Sequence, residues 1–422
     1  MLTRENSIYL MTNSIVKYFN KIRVLNFLLL LIPFLLPLEK TTVRFLMVIF
    51  SIACLIYGDY SQLKIKKNWI KLSIITLWLL PFIQLLLLNK IDEYLGNLIT
   101  KITLFILPIL ILIGYPSNKI NLAGILKFFI YGSLTATLIC VINVTVSYFL
   151  LNDLNAIKYT SISLFHHPGY FTMYLNFVIG LIYLNNLKPI KDLKLPKNSS
   201  FIIISFLSFF ILIASSRTGW ITNILVHLFF ISCIFYSKKI SKKSLIYFLV
   251  LMIPFSTVIY TNETIQNRFR EIITNTFEKD EKKKVRSSTL VRKKIWSTSL
   301  KLVKEKWITG YGTGLSKKVL QEQYKKDGYD YMYKKNYNSH NQYLQVLLDH
   351  GIFGFLILAF FTFGMLYASL KQKDFIYALF LAIMILNFMT ESVLETQSGV
   401  IFFAFFNTVF FFKWFNKKYL AT

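Results

Sequence analysis

The amino-acid sequence predicts an all-α fold: a polytopic membrane protein with about twelve transmembrane helices and one large, mostly helical outward loop domain. Three observations predict it. Of 422 residues, 55% are hydrophobic and only 16% charged, against roughly 25% charged in a soluble domain. The apolar residues fall in long runs separated by lysine clusters, the pattern of helices that cross a bilayer. The formal net charge is +28, from 48 Lys and Arg against 20 Asp and Glu. Together these exclude other classes. The chain is too apolar for a disordered basic protein or a soluble nucleic-acid binder. Its three Cys are too few for a disulfide scaffold.

A helix rises ~1.5 Å per residue, so about 20 apolar residues cross the hydrocarbon core. Twelve segments meet that requirement, at about 22–38, 42–58, 69–88, 97–115, 124–151, 167–187, 199–216, 217–236, 243–260, 342–369, 374–391 and 399–415. The first carries Pro33 and Pro37 and no small-residue cleavage site, so it reads as a span and not as a leader. The seventh and eighth meet in a tight hairpin at residues 216 and 217. With the N-terminus inside, the inward segments hold 21 Lys and Arg, while the short outward loops hold four: Lys40, Lys90, Lys158 and Arg217. That asymmetry alternates loop by loop, as positive charge on the cytoplasmic side requires.

Residues 261–341 are too long for a simple turn. They fall on the outer side and hold 19 Lys and Arg against 9 Asp and Glu, which does not contradict the topology because long loops escape the charge rule. Apolar spacing predicts helices at about 264–277, 288–305 and 315–326, with Gly310, Gly312 and Gly314 marking the last gap. The chain therefore divides into spans one to nine (1–260), an outer loop domain (261–341) and spans ten to twelve (342–422).

The conspicuous polar residues share the outer side. Arg217 sits in SSRTGW at 215–220, at the hairpin. One reading is an interfacial Arg that snorkels to water. The other is a fixed cation for a phosphate, since guanidinium keeps its proton and its fork matches phosphate oxygens; Gly219 then permits a close backbone approach. Arg292, in VRKKIW at 291–296, reads by spacing alone as an ordinary surface charge and is not separable from Arg286. His340 precedes the tenth span in SHNQYLQVLLDHGIFGF at 339–355. An unperturbed imidazole titrates near pH 6.5 and accepts a proton from a hydroxyl, so His340 is the better candidate for chemistry. His227 lies mid-span and reads as a core residue. Asp349 and His350 read as a structural polar pair. His166 and His167 either cap the sixth span or line the site. Glu391 and Glu395, four apart, would share a helix face. They either pair with the basic groups around them or act as acid, base or metal ligands. The scattered Cys54, Cys140 and Cys233 read as small hydrophobes, and GYGTGL at 310–315 follows no predicted strand, so it reads as a turn and not a nucleotide cradle.

In this order the pieces resemble the O-antigen ligase and O-antigen polymerase superfamily of bacterial inner-membrane enzymes. The resemblance rests on SSRTGW, then a large outer loop with Arg292 and Trp296, then Gly-x-Gly-x-Gly at 310–314. Ser-His-Asn at 339–341 and Gly-Ile-x-Gly at 351–354 follow, and ESVLETQSGVIFFAFF at 391–406 closes the series; HPGY at 167–170 resembles a further element. It covers about residues 165–415. It departs at Asn338, where many members carry a second His.

The resemblance implies a glycosyltransferase at the periplasmic face of the bacterial inner membrane, with both termini cytoplasmic. Its donor would be an undecaprenyl-diphosphate-linked glycan and its acceptor lipid A–core or another glycan. Arg217 and Arg292 would hold the diphosphate and His340 would activate the acceptor hydroxyl. Asn341, His167, Glu391 and Glu395 are supporting candidates; no metal, cofactor or nucleic acid is implied. A polymerase joining lipid-linked repeat units, or a protein O-oligosaccharyltransferase, would use the same chemistry on another acceptor. A twelve-span transporter, the reading from another class, predicts charges deep in several spans and two-fold repetition. Here Arg44, Lys71, Lys101 and Lys127 lie in or near spans, all within the first five, and no internal repeat is present.

Overall fold

The structure is a computed structural model that describes residues 21–88, 91–115, 120–153, 159–193, 195, 199–236, 266 and 288–419. Among these residues the secondary structure is helical, with no strand. The first helix, α1, covers residues 21–35. There follow α2 (Lys40–Tyr57), α3 (Thr76–Leu88), α4 (Ile91–Lys101), α5 (Thr103–Gly114), α6 (Leu122–Phe149), α7 (Pro168–Leu187), α8 (Ser200–Ile213) and α9 (Arg217–Tyr236). The later helices are α10 (Ser288–Glu305), α11 (Leu315–Lys326), α12 (Gln342–Ala359), α13 (Phe375–Phe388) and α14 (Gln397–Tyr419). The expected ninth span (243–260), the expected helix 264–277 except residue 266, and Arg286 lie outside the described residues.

Helices occupy the other eleven expected spans, but they are not uniform crossings. Among the described residues, six segments are long and apolar enough to cross a membrane by length and composition: Lys40–Tyr57, Lys66–Leu87, Leu95–Gly114, Leu122–Phe149, Gln342–Lys371 and Gln397–Lys417. The helices α8 and α13 have 14 residues each and rise about 21 Å, less than the ~30 Å of a hydrocarbon core.

Two helices form the interior. Nearly every residue of α7 from Pro168 to Ile182 is buried, and 89% of the crossing window of α14 is buried. Both are apolar all round, which suits a helix with neighbours on every side. Their shared core is aromatic: Phe177 of α7 packs at 5.3 Å from Phe406 of α14, and Phe129 of α6 and Phe380 of α13 close the cluster. The helices α8, α9 and α13 pack on α7, and α5 packs on α14.

The expected continuous span 342–369 is broken. Gly351 has φ +61° and ψ −153°, and the chain reverses there. The ring of Tyr343 stacks on that of Phe363 at 5.6 Å, although 20 residues of straight helix would separate them by about 30 Å. A Cβ on Gly354 would stand 3.1 Å from Val346 Cγ1. The first half of α12 therefore folds back along the second, and the apolar run on both sides of Gly351 hid this turn from periodicity.

A break in a helix leaves backbone groups without partners, and the glycine-rich loop supplies them. Tyr311 N donates to Leu348 O (2.7 Å), Gly312 N to Asp349 O (2.8 Å) and Ile352 N to Trp307 O (2.8 Å). Gly310 has φ +67°, and a Cβ there would collide with the Asp349 carbonyl. The two expected helices of the outer segment, 288–305 and 315–326, match α10 and α11. They share a small core of their own, with Val291, Ile295, Leu302, Leu320, Tyr324 and Met332 packed against Leu348 of α12.

Candidate active site

His340 lies in the short segment that leads into α12, and its backbone is left-handed (φ +43°). Local hydrogen bonds hold it so. Asn338 Oδ1 accepts from His340 N (3.0 Å); Asn is a natural turn former, and this is the position at which the resemblance expects a second His. Asn341 Oδ1 caps α12 by accepting from Tyr343 N and Leu344 N at 2.9 and 3.1 Å, as an N-cap should. Its Nδ2 donates to Met389 O (3.0 Å), joining this turn to the loop between α13 and α14.

That loop carries Glu391. Its Oε2 lies 3.0 Å from His340 Nδ1, and its Oε1 accepts from Arg292 Nη2. Burial opposes ionisation of Glu391, but the His340 hydrogen bond and the charge of Arg292 outweigh it and hold the carboxyl below its usual range. An ionised carboxylate only accepts, so Nδ1 of His340 carries the proton and Nε2 is the basic nitrogen. Tyr337 packs edge-on to the imidazole at 5.2 Å, and Trp296 Nε1 lies 3.4 Å from His340 O.

Arg217 opens α9. The preceding hairpin explains the rest of SSRTGW. Ser215 takes the left-handed turn (φ +53°), and Ser216 Oγ accepts from Gly219 N (3.2 Å). Trp220 Nε1 reaches back to Ile211 O and Leu212 O at 3.1 and 3.0 Å, supplying a donor to the last turn of α8. Gly219 does serve a close approach, but the neighbour is α7: a Cβ there would stand 2.4 Å from Thr172 Oγ1. Arg217 Nη1 donates to Thr289 Oγ1 (2.5 Å). Thr289 is three residues before Arg292 on α10, so the two guanidinium groups meet the same face of that helix. Thr218 Oγ1 lies 2.7 Å from Thr390 Oγ1, which brings the hairpin beside Glu391.

The remaining candidates separate. His167 caps α7, its Nδ1 accepting from Gly169 N (3.3 Å). His166 is buried; burial pushes its imidazole down to about 4. Its Nε2 donates to Leu36 O (2.9 Å), so Nδ1 accepts from Ser398 Oγ (3.0 Å), a structural role. Glu391 and Glu395 do not share a helix face, because Val393–Glu395 is a 3-10 turn. Glu391 pairs with Arg292, and Glu395 with Lys101 at 2.6 Å. Asp349 and His350 also part company. Asp349 accepts from Ser316 Oγ and Gln345 Nε2, while His350 meets Thr313 Oγ1 (3.2 Å) and Gln84 Oε1 (2.5 Å). His227 is held by Tyr183 (2.7 Å) and Ser208 (3.0 Å). Among the described residues, no group of three or more His, Cys, Asp and Glu is arranged to hold a metal ion.

Sequence reasoning saw Lys101 only as a charge in an early span and missed Thr289 and Tyr337. A buried Lys in an apolar run is a visible signal for the first; nothing in the local pattern marks the other two.

The fold and this cluster define a class: an all-helical membrane protein with a partly buried imidazole–carboxylate–guanidinium site where a helical loop segment meets the bundle. Residues 202–359 match the family model described as O-antigen ligase. That match, over more than a third of the chain, supports a likeness to O-antigen ligases, and its span takes in Arg217, Arg292, His340 and Asn341. The chain matches no curated protein sequence.

Proposed function

We propose that the protein transfers a glycan from a polyprenyl diphosphate, by likeness undecaprenyl diphosphate, to a sugar hydroxyl of lipid A–core at the periplasmic face of the inner membrane. The observation that carries this reading is the His340–Glu391–Arg292 cluster. Glu391 fixes the imidazole so that Nε2 accepts a proton, and Arg292, with Arg217 on the same face of α10, offers donors to an anionic leaving group.

In this reading the acceptor O–H gives its proton to His340 Nε2 while its oxygen attacks the anomeric carbon. The bond from that carbon to the diphosphate oxygen breaks, and the electron pair leaves with the diphosphate. The guanidinium groups stabilise the charge that develops there. A single displacement inverts the anomeric centre. The net charge of +10 on residues 261–341 suits an anionic acceptor such as a phosphorylated lipid A–core.

A deletion strain tests the acceptor. The expected phenotype is lipopolysaccharide without side chains together with accumulated lipid-linked polymer. Side chains stopped at one repeat unit would mean that the acceptor is a second lipid-linked glycan and the enzyme a polymerase.

A further inference from the structure

Three ionisable residues lie inside the bundle beside this site and have no part in the chemistry above. They are Lys101 at the end of α4, Glu395 in the loop before α14, and Asp349 just before the break in α12. Lys101 Nζ stands 2.6 Å from Glu395 Oε1 and 3.8 Å from Asp349 Oδ2, with side-chain exposures of 6%, 12% and 1%. Withdrawing such charges from water costs several kcal/mol per ion, and well-packed apolar residues of similar volume are often as stable. A charge kept at that cost inside a membrane bundle points to a use.

Lys101 touches both segments that build the site. The loop 389–396 holds Glu391 near one end and Glu395 near the other. Leu394 N in the same loop donates to Gln342 Oε1 (2.6 Å), and Ser392 Oγ meets Ser339 Oγ (3.1 Å). On the α12 side, Asp349 is linked through Gln345 to Ser339, the residue before His340: Gln345 Nε2 donates to Asp349 Oδ1 (3.1 Å), and Gln345 Oε1 accepts from Ser339 Oγ (2.9 Å). One ammonium therefore fixes the carboxylate loop and the imidazole turn against each other. It comes from the first third of the chain, outside the matched stretch 202–359.

We propose that Lys101 is a positioning residue for the His340–Glu391 pair, acting through Glu395 on the loop and through Asp349 on the folded-back half of α12. This rests on the glycosyl-transfer reading. A loop that loses its anchor by about 1 Å can cost ten- to a hundredfold in turnover.

The test uses the full chain in lipid nanodiscs, with lipid-linked glycan and lipid A–core glycolipid extracted from a strain lacking the gene. Lys101→Met is expected to lower kcat about tenfold or more while donor KM stays within about twofold. Amides of 389–396 should exchange hydrogen faster, with those of α7 unchanged, and Lys101→Arg should recover most of the rate. Should Lys101→Met fail to fold, Glu395→Gln loosens the same anchor and should give the same split. Wild-type kcat in either folded variant, or unchanged exchange in 389–396, overturns the positioning role. Absence of transfer by the wild-type protein would instead overturn the glycosyl-transfer reading, and the exchange data would still judge the anchor.

Discussion

His340 is held in a backbone conformation that a residue with a Cβ rarely adopts, at a cost of about 1–3 kcal/mol. Asn338, Asn341 and Glu391 hold it there. If that cost serves proton transfer, then His340→Ala should lower kcat by about 10²- to 10⁴-fold, while the thermal unfolding temperature in detergent falls only slightly, because Ala keeps the Cβ that strains the turn and Glu391 loses one of its two partners. Turnover near wild type in a purified transfer assay would remove His340 from the chemistry. Which single residues stand out was legible in the sequence: Arg217 in its hairpin motif and His340 ahead of a span. Their partners were not. Glu391 looked like half of a helical pair with Glu395 until a 3-10 turn sent the two carboxylates to different cations. By spacing alone Arg292 reads as one charge among many; the resemblance and its contact with Glu391 set it apart from the lysines around it.

At the scale of elements, Gly-x-Gly-x-Gly and Gly-Ile-x-Gly, far apart in the chain, form one device. The first is a loop that supplies hydrogen-bond partners to the ends exposed by the break in the second. Helices α10 and α11 were legible because their apolar residues recur at helical spacing. The reversal at Gly351 was not, since Leu347, Leu348, Ile352 and Phe353 keep the run apolar on both sides of it. The device predicts that Gly351→Ala is severe. Its φ is +61°, and a Cβ would stand 2.1 Å from Ile308 O, so either the loop 307–312 withdraws or the helix straightens. The expected result is a loss of about 2–4 kcal/mol or more, since positive-φ strain and broken backbone pairs add. It would be read as a lowered unfolding temperature and as proteolytic nicking within 307–316. Gly96→Ala is the control, because a Cβ there meets nothing within 4 Å; equal behaviour of the two variants would remove the device.

For the whole molecule, the +28 charge has two meanings. Most of it lies in the segments assigned inward, where 21 Lys and Arg face four in the short outward loops; that part orients the chain and carries no information about ligands. The remaining concentration, 19 Lys and Arg in residues 261–341, bears on function only if that segment faces outward, where the resemblance expects donor and acceptor to meet. Two positions decide it. Lys301 lies on α10 with its side chain 57% exposed, and its 3.8 Å contact with Asp327 is a surface pair of small worth. Lys373 lies exposed in the turn before α13. In a background with Cys54, Cys140 and Cys233 replaced, Lys301→Cys should react with a membrane-impermeant maleimide on intact cells whose outer envelope has been opened. Lys373→Cys should react only after the inner membrane is breached. The reverse pattern would turn the bundle over. It would set Arg217, Arg292 and His340 on the cytoplasmic side, away from a lipid-linked donor presented outside, and the transfer reading would fall with it.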